Sequence, residues 1–205
     1  MKSDKLGILG LGSYSTLFHI KELNALYNKK HGGFSTCPFK MLNVNFDETN
    51  NLLPNTSNQL DGIVKSYLEE LIELGVNSIL VPNITLHETI DRLNFDVKII
   101  HPVHLSLSEI QKTKHKKAVI FGTKFTMESS YIKSIFEEHN IEILMPSEKE
   151  ILFIDNVRKQ IYQDLQTEEM LDNFNQLIEK YADQYAVVIA CTELSVVHSK
   201  SSSNV

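Results

Sequence analysis

Cys37 and Cys191 are the only thiols in this 205-residue chain, and one of them stands where chemistry is commonly done. Cys191 follows the run Ala186-Val187-Val188-Ile189-Ala190 and precedes Thr192 and Glu193. An unbroken run of small and β-branched apolar residues predicts a strand buried on both faces. In open α/β sheets, ligands bind beyond the carboxyl ends of the strands. A thiol, a hydroxyl and a carboxylate at such an end could take up or deliver a proton, if the neighbours tune the thiol. Free cysteine is also often just a small buried hydrophobe. The rest of the chain has to decide between the two.

Composition narrows the classes. The hydrophobic fraction is 42% and the formal net charge −6, with the basic residues scattered. A nucleic-acid binder would cluster them, so no nucleic-acid partner is expected. The opening Met1-Lys2-Ser3-Asp4-Lys5 leads into a short strand rather than a secretory core, and no apolar run has membrane-spanning length. Two distant cysteines form neither a CxxC motif nor a disulfide framework. A cytoplasmic α/β protein with free thiols and no membrane partner is the expectation.

The elements that must carry Cys191 fall into two similar sets. Leu6 to Gly10 predicts a strand entering a glycine turn, and Ser13, Ser15 and Thr16 are N-cap candidates for a helix to about Asn28. Free backbone N–H groups at such a turn suit an anion, although the glycines lack dinucleotide spacing. A strand is predicted over 39–46 and a loop over 47–56. A helix over 60–74 has its apolar stripe at Ile63, Tyr67, Leu68, Leu71 and Ile72 and closes on Gly75. Strands follow at 78–81, ending on Pro82-Asn83-Ile84-Thr85, and at 97–100, leading into His101-Pro102-Val103-His104, with a helix over 86–93 between them. The pattern then restarts. Lys117 to Gly122 matches Lys5 to Gly10, with hydroxyls at Thr123, Thr126 and Ser129. A strand at 141–145, helices near 148–165 and 168–181, and the Cys191 strand complete the second set. Two halves, 1–100 and 101–205, are expected: an α/β fold whose mostly parallel sheets bring both polar strand ends, Asn83 and Cys191, to a central cleft.

Two motifs now stand out. Phe121-Gly122-Thr123-Lys124-Phe125-Thr126-Met127-Glu128 resembles the G-T-[RK]-x-T-M-E of the cofactor-independent aspartate/glutamate racemases, and Ala190-Cys191-Thr192-Glu193-Leu194 resembles their [GA]-C-T-E-L. Gly7-Ile8-Leu9-Gly10, Gly33-Phe34-Ser35 and Ile161-Tyr162-Gln163-Asp164-Leu165 add weaker support. The Thr-Glu after the cysteine is similar to the aspartate branch. The resemblance implies an isomerase that needs no pyridoxal phosphate or other cofactor and no metal, acts on aspartate, glutamate or a related dicarboxylate, and works as a homodimer. It implies Cys191 as one α-proton acid/base, with Thr85, Ser13, Thr123, Thr126, Thr192 and Glu193 around the substrate. A second carboxylate would want a cation, for which Lys124 and Arg158 are candidates, though either is more often a surface charge.

The chain departs from the family in its first half. The expected C-N-T-x-H reads Asn83-Ile84-Thr85-Leu86-His87, so Asn83 stands where a second catalytic cysteine would be. An amide is no general base, and His87 is placed one turn away, bonded to backbone. Leu11-Gly12 replaces a methionine-bearing loop, and the polar stretch Val196 to Val205 follows where a further strand and helix would come. His101 and His104 show no metal-ligand spacing. The reading is an amino-acid racemase built on Cys191. The alternatives are a one-thiol decarboxylase or cis–trans isomerase of small dicarboxylates, or an inactive dicarboxylate-binding member.

Overall fold

The computed structural model describes residues 5–197 and divides into two compact units, Met1–His101 and Pro102–Val205. In the first, β1 (Leu6–Gly10), α1 (Ser13–His31), β2 (Phe39–Asn43), α2 (Asp47–Asn50), α3 (Asn58–Glu73), β3 (Ser78–Leu80), a 3₁₀ turn (Ile84–Leu86), α4 (His87–Leu93) and β4 (Lys98–Ile100) follow in order. The sheet is parallel throughout, ordered β2-β1-β3-β4. The second unit holds α5 (Pro102–Gln111), β5 (Lys117–Phe121), α6 (Lys124–Glu128), α7 (Ser130–Glu138), β6 (Glu142–Leu144), α8 (Glu148–Tyr162), α9 (Glu168–Ala182), β7 (Ala186–Ile189) and α10 (Thr192–Val197). Its parallel sheet is ordered β6-β5-β7. No helix among the described residues is long and apolar enough to cross a membrane.

The two sheets share a register. Ile8 lies opposite Leu80 in the first and Ile120 opposite Val188 in the second. Leu11 and Asn83 each come three residues after the first pair, and Thr123 and Cys191 three residues after the second. Gly10 and Gly122 then fall in the same place in their sheets. The space at both is tight: a Cβ on Gly10 would come within 2.6 Å of the Asn43 amide oxygen, which would have to move, and one on Gly122 within 3.3 Å of Thr126.

Several elements differ from the sequence reading, each for a local reason. The fully buried stripe of α3 is Leu60, Val64, Leu68 and Leu71; of the predicted positions Leu68 and Leu71 belong to it, and Tyr67 and Ile72 pack partly buried at its margin. The strand ends at Asn43, Val44 N–H making the last bond to the neighbouring strand at the Gly10 carbonyl, and a short helix follows where a loop was expected. The hydroxyls of Ser13, Ser15 and Thr16 do not cap α1, whose N-cap is Gly12. Thr16 instead accepts from Leu11 N–H (3.1 Å) and donates to the Leu11 carbonyl (3.3 Å). The β7 strand is buried only at Ala186 and Val187, because it lies at the edge of its sheet. The expected polar stretch over 196–205 begins inside α10, and residues 198–205 lie outside those described.

Glu150 holds α8 to α9. It completes a capping box with Ser147, whose N–H and hydroxyl both donate to its carboxylate, and Lys180 and Tyr181 of α9 donate from the other side at 2.7 and 3.0 Å. Burial pushes its pKa up, but these donors outweigh burial and hold it at about 2, below the ordinary 4.5. A depressed carboxylate contributes stability above its unfolded pKa and loses it as pH falls through the folded one. Glu150→Gln is therefore expected to lower the melting temperature at pH 6, and the gap to wild type should narrow between pH 4.5 and 2. A pH-independent gap would mean that the side chain acts by packing alone.

Candidate functional site

Each unit carries its candidate residues at the carboxyl end of its own sheet. In the second, β7 ends at Ile189, and Ala190 N–H still bonds to the Phe121 carbonyl at 2.7 Å. The chain then turns into α10, where the Cys191 carbonyl accepts from Ser195 N–H and hydroxyl at 3.1 and 3.0 Å. This turn swings Glu193 back over the thiol, and Cys191 Sγ donates to Glu193 Oε2 at 2.7 Å. Burial drives the thiol pKa well above its ordinary value, Glu193 adds its negative charge and hydrogen bond in the same direction, and the Arg158 charge opposes them. The resting group is a protonated thiol bonded to a carboxylate. Such a pair can accept or deliver one proton, with the carboxylate as the second station.

Thr123 and Thr126 stand at the end of the neighbouring strand, β5. Thr123 caps α6, accepting from Thr126 N–H at 3.0 Å, and the two hydroxyls lie 2.8 Å apart. Thr192 opens α10 and is partly buried. Cys191, Glu193, Thr192, Thr123 and Thr126 therefore share one end of one sheet. Lys124 leaves the group: its side chain is 52% exposed, with the ammonium 3.9 Å from Glu128. Its backbone N–H, however, reaches Asp155 on α8 at 3.4 Å, and Asp155 also accepts from Arg158. Sequence reasoning missed Asp155. The one signal for it was the three-residue spacing Asp155–Arg158, which puts both on one helix face.

In the first unit Asn83 caps the 3₁₀ turn, accepting from Leu86 N–H at 3.2 Å, and Thr85 lies inside that turn, partly buried. Ser13 is the exposed first residue of α1, after the neighbouring strand. These three share the carboxyl end of the first sheet. Cys37 lies two residues before β2 begins, at the opposite end of the same parallel sheet, and cannot stand in for Asn83. His87 is fully buried with Nε2 3.2 Å from the Val81 carbonyl, which is the backbone contact expected of it. The spacing of the histidines hid one relation: His101 is buried 3.6 Å from Asp91, with the His87 ring 4.4 Å away.

Among curated proteins none matches the chain. Its fold is similar to that of an aspartate racemase homologue from Pyrococcus horikoshii OT3, with a TM-score of 0.86 at 22% identity over 98% of this chain and 91% of the other. The aspartate racemase of Picrophilus torridus gives 0.71 at 16% identity, covering 96% and 84%. The glutamate racemase isoform RacE1 of Bacillus anthracis gives 0.60 at 14% identity, covering 98% and 75%. At these identities the likeness is one of fold. The family assignment comes from the sequence: the Asp/Glu/hydantoin racemase model matches residues 8–205, and the chain belongs to that family.

Proposed function

We propose that this protein is a cofactor-independent amino-acid racemase of the aspartate/glutamate type, with Cys191 as its α-proton acid/base and Asn83 in place of a second thiol. One observation carries the reading, the 2.7 Å bond from Cys191 Sγ to Glu193 at the end of β7. An α-carbanion without pyridoxal has no electron sink, so its carboxylate must sit among fixed donors while an acid/base faces the α-carbon. Thr123, Thr126 and Thr192, at the same sheet end as Cys191, are the proposed donors; Thr85 and Ser13 hold the corresponding sheet end of the first unit. Glu193 takes the thiol proton as the thiolate takes the substrate's α-proton from one face; inversion then requires a proton delivered to the opposite face, a role the Asn83 amide does not fill. A homodimer is the proposed working form, and a reducing cytoplasm suits the two free cysteines.

A second reading is favoured by Asn83 itself. Its amide oxygen is engaged in capping and an amide has no proton to exchange near neutrality. A lone protonated thiol can still protonate a carbanion on one face, which is what a decarboxylase of small dicarboxylates requires. Proton NMR of L- and D-aspartate and L- and D-glutamate in deuterated buffer separates the two. Exchange with inversion supports the racemase, exchange with retention supports one-face chemistry, and no exchange with any of the four sinks the racemase.

A further inference from the structure

Arg158 stands apart from the other cations of its unit. Its side chain is 22% exposed, whereas those of Lys117, Lys124, Lys133, Lys159 and Lys180 range from 46% to 64%. It is one of two arginines in the chain, and the other, Arg92, is bonded to Asp61 in the first unit. The helix that carries it, α8, packs against both α6 and α10, which bear the threonines and the thiol turn. Its charge reaches Cys191 and opposes that of Glu193.

A cation withdrawn from water needs an anion, and the one it has is shared. Arg158 Nε and Nη2 both converge on Asp155 Oδ1 at 3.3 Å, and the Lys124 N–H points to the same oxygen at 3.4 Å. The other oxygen is taken by Lys159 at 2.6 Å. Charge-assisted N–H···O bonds normally close to about 2.7–2.9 Å. The guanidinium is thus held loosely in position, and its fork, which fits the two oxygens of one carboxylate, meets only a single oxygen. Lys159 offers no substitute: it is exposed, and an ammonium is a point charge without a fork.

We propose that Arg158 determines specificity at this site, its guanidinium taking the side-chain carboxylate of a dicarboxylic amino acid whose α-carbon lies against Cys191. Asp155 holds the fork in place until that carboxylate arrives. The assignment rests on the racemase-type reading of Cys191, so its test separates the two. Succinate, a dicarboxylate with no amino group, is titrated calorimetrically into wild type, Arg158→Gln and Arg158→Lys, with melting temperatures as the check on folding. Aspartate exchange is followed in parallel. The expected result is a loss of succinate affinity of about 10–100-fold in Arg158→Gln, the scale of one charged hydrogen-bonding group. Arg158→Lys should fall between, and KM for aspartate should rise by a similar factor with kcat changed far less. Unchanged succinate affinity, with kcat and the pH profile of Cys191 alkylation shifted instead, would show Arg158 acting through the thiol and overturn the proposal. A wild type that binds neither succinate nor aspartate would overturn it too. Arg158-dependent succinate binding without exchange on any amino acid would remove the racemase reading and leave this one standing.

Discussion

Cys191→Ala is expected to lower α-proton exchange by about 10³-fold or more, with the melting temperature within a few degrees of wild type. The size follows from the site. At the end of β7 the thiol and Glu193 are the groups that exchange protons; Thr123, Thr126 and Thr192 are hydroxyls whose protons are held far too tightly near neutrality. With the sulfur gone, Glu193 has lost the atom that would meet the substrate. The fold should be little affected, because Cys191 lies in the turn after the strand and its backbone is held through Ala190 and Ser195. Cys191→Ser is the companion variant, since it keeps the size and a hydrogen bond to Glu193 but not the acidity. Proton NMR in deuterated buffer measures both. Exchange within tenfold of wild type in either variant would remove Cys191 from the chemistry.

Glu193→Gln should move two readouts in opposite directions. Burial raises the thiol pKa first, and the Glu193 carboxylate raises it further through its charge and its hydrogen bond. Glutamine removes the charge and leaves burial and the opposing Arg158. The thiol should ionise more readily, and iodoacetamide should alkylate it several-fold faster at pH 8 than in wild type, because the thiolate is the nucleophile. Exchange should nevertheless drop by about 10²-fold, since the station that receives the thiol proton is gone. Faster alkylation with slower turnover is a combination that simple damage to the site would not produce. Slower alkylation, or turnover unchanged, would show that Glu193 is not the proton acceptor.

The outline of this site could be read in the sequence because strand ends and turns are local. Ala186 to Ala190 marks its own end, Gly122-Thr123 marks the other, and the repeat of Lys5–Gly10 in Lys117–Gly122 pointed to two equivalent sheets. What escaped reading depends on how the chain folds back. The Glu193 bond to Cys191 exists because Thr192 starts a helix, and a six-residue helix leaves too short a pattern to detect. Asp155 and Arg158 look like any solvated pair until α8 is packed on α6 and α10. The helix α5 has no counterpart in the sequence reading, which stops at the strand before His101, although Pro102 at its first position is where proline suits a helix best. Burial of β7 on both faces was read from composition, and composition does not tell a central strand from an edge.

That edge position has a kinetic side. Among the described residues β5 is hydrogen-bonded to a strand on each side, whereas β7 has a neighbour on one side only. Amide protons escape by local opening, and an edge strand opens before the centre of its sheet. Deuterium should therefore enter Ala186–Ile189 ahead of Lys117–Phe121. β6, the other outer strand, should exchange early too; the thiol follows an outer strand, so local opening rather than global unfolding governs how often the backbone leading to it comes apart.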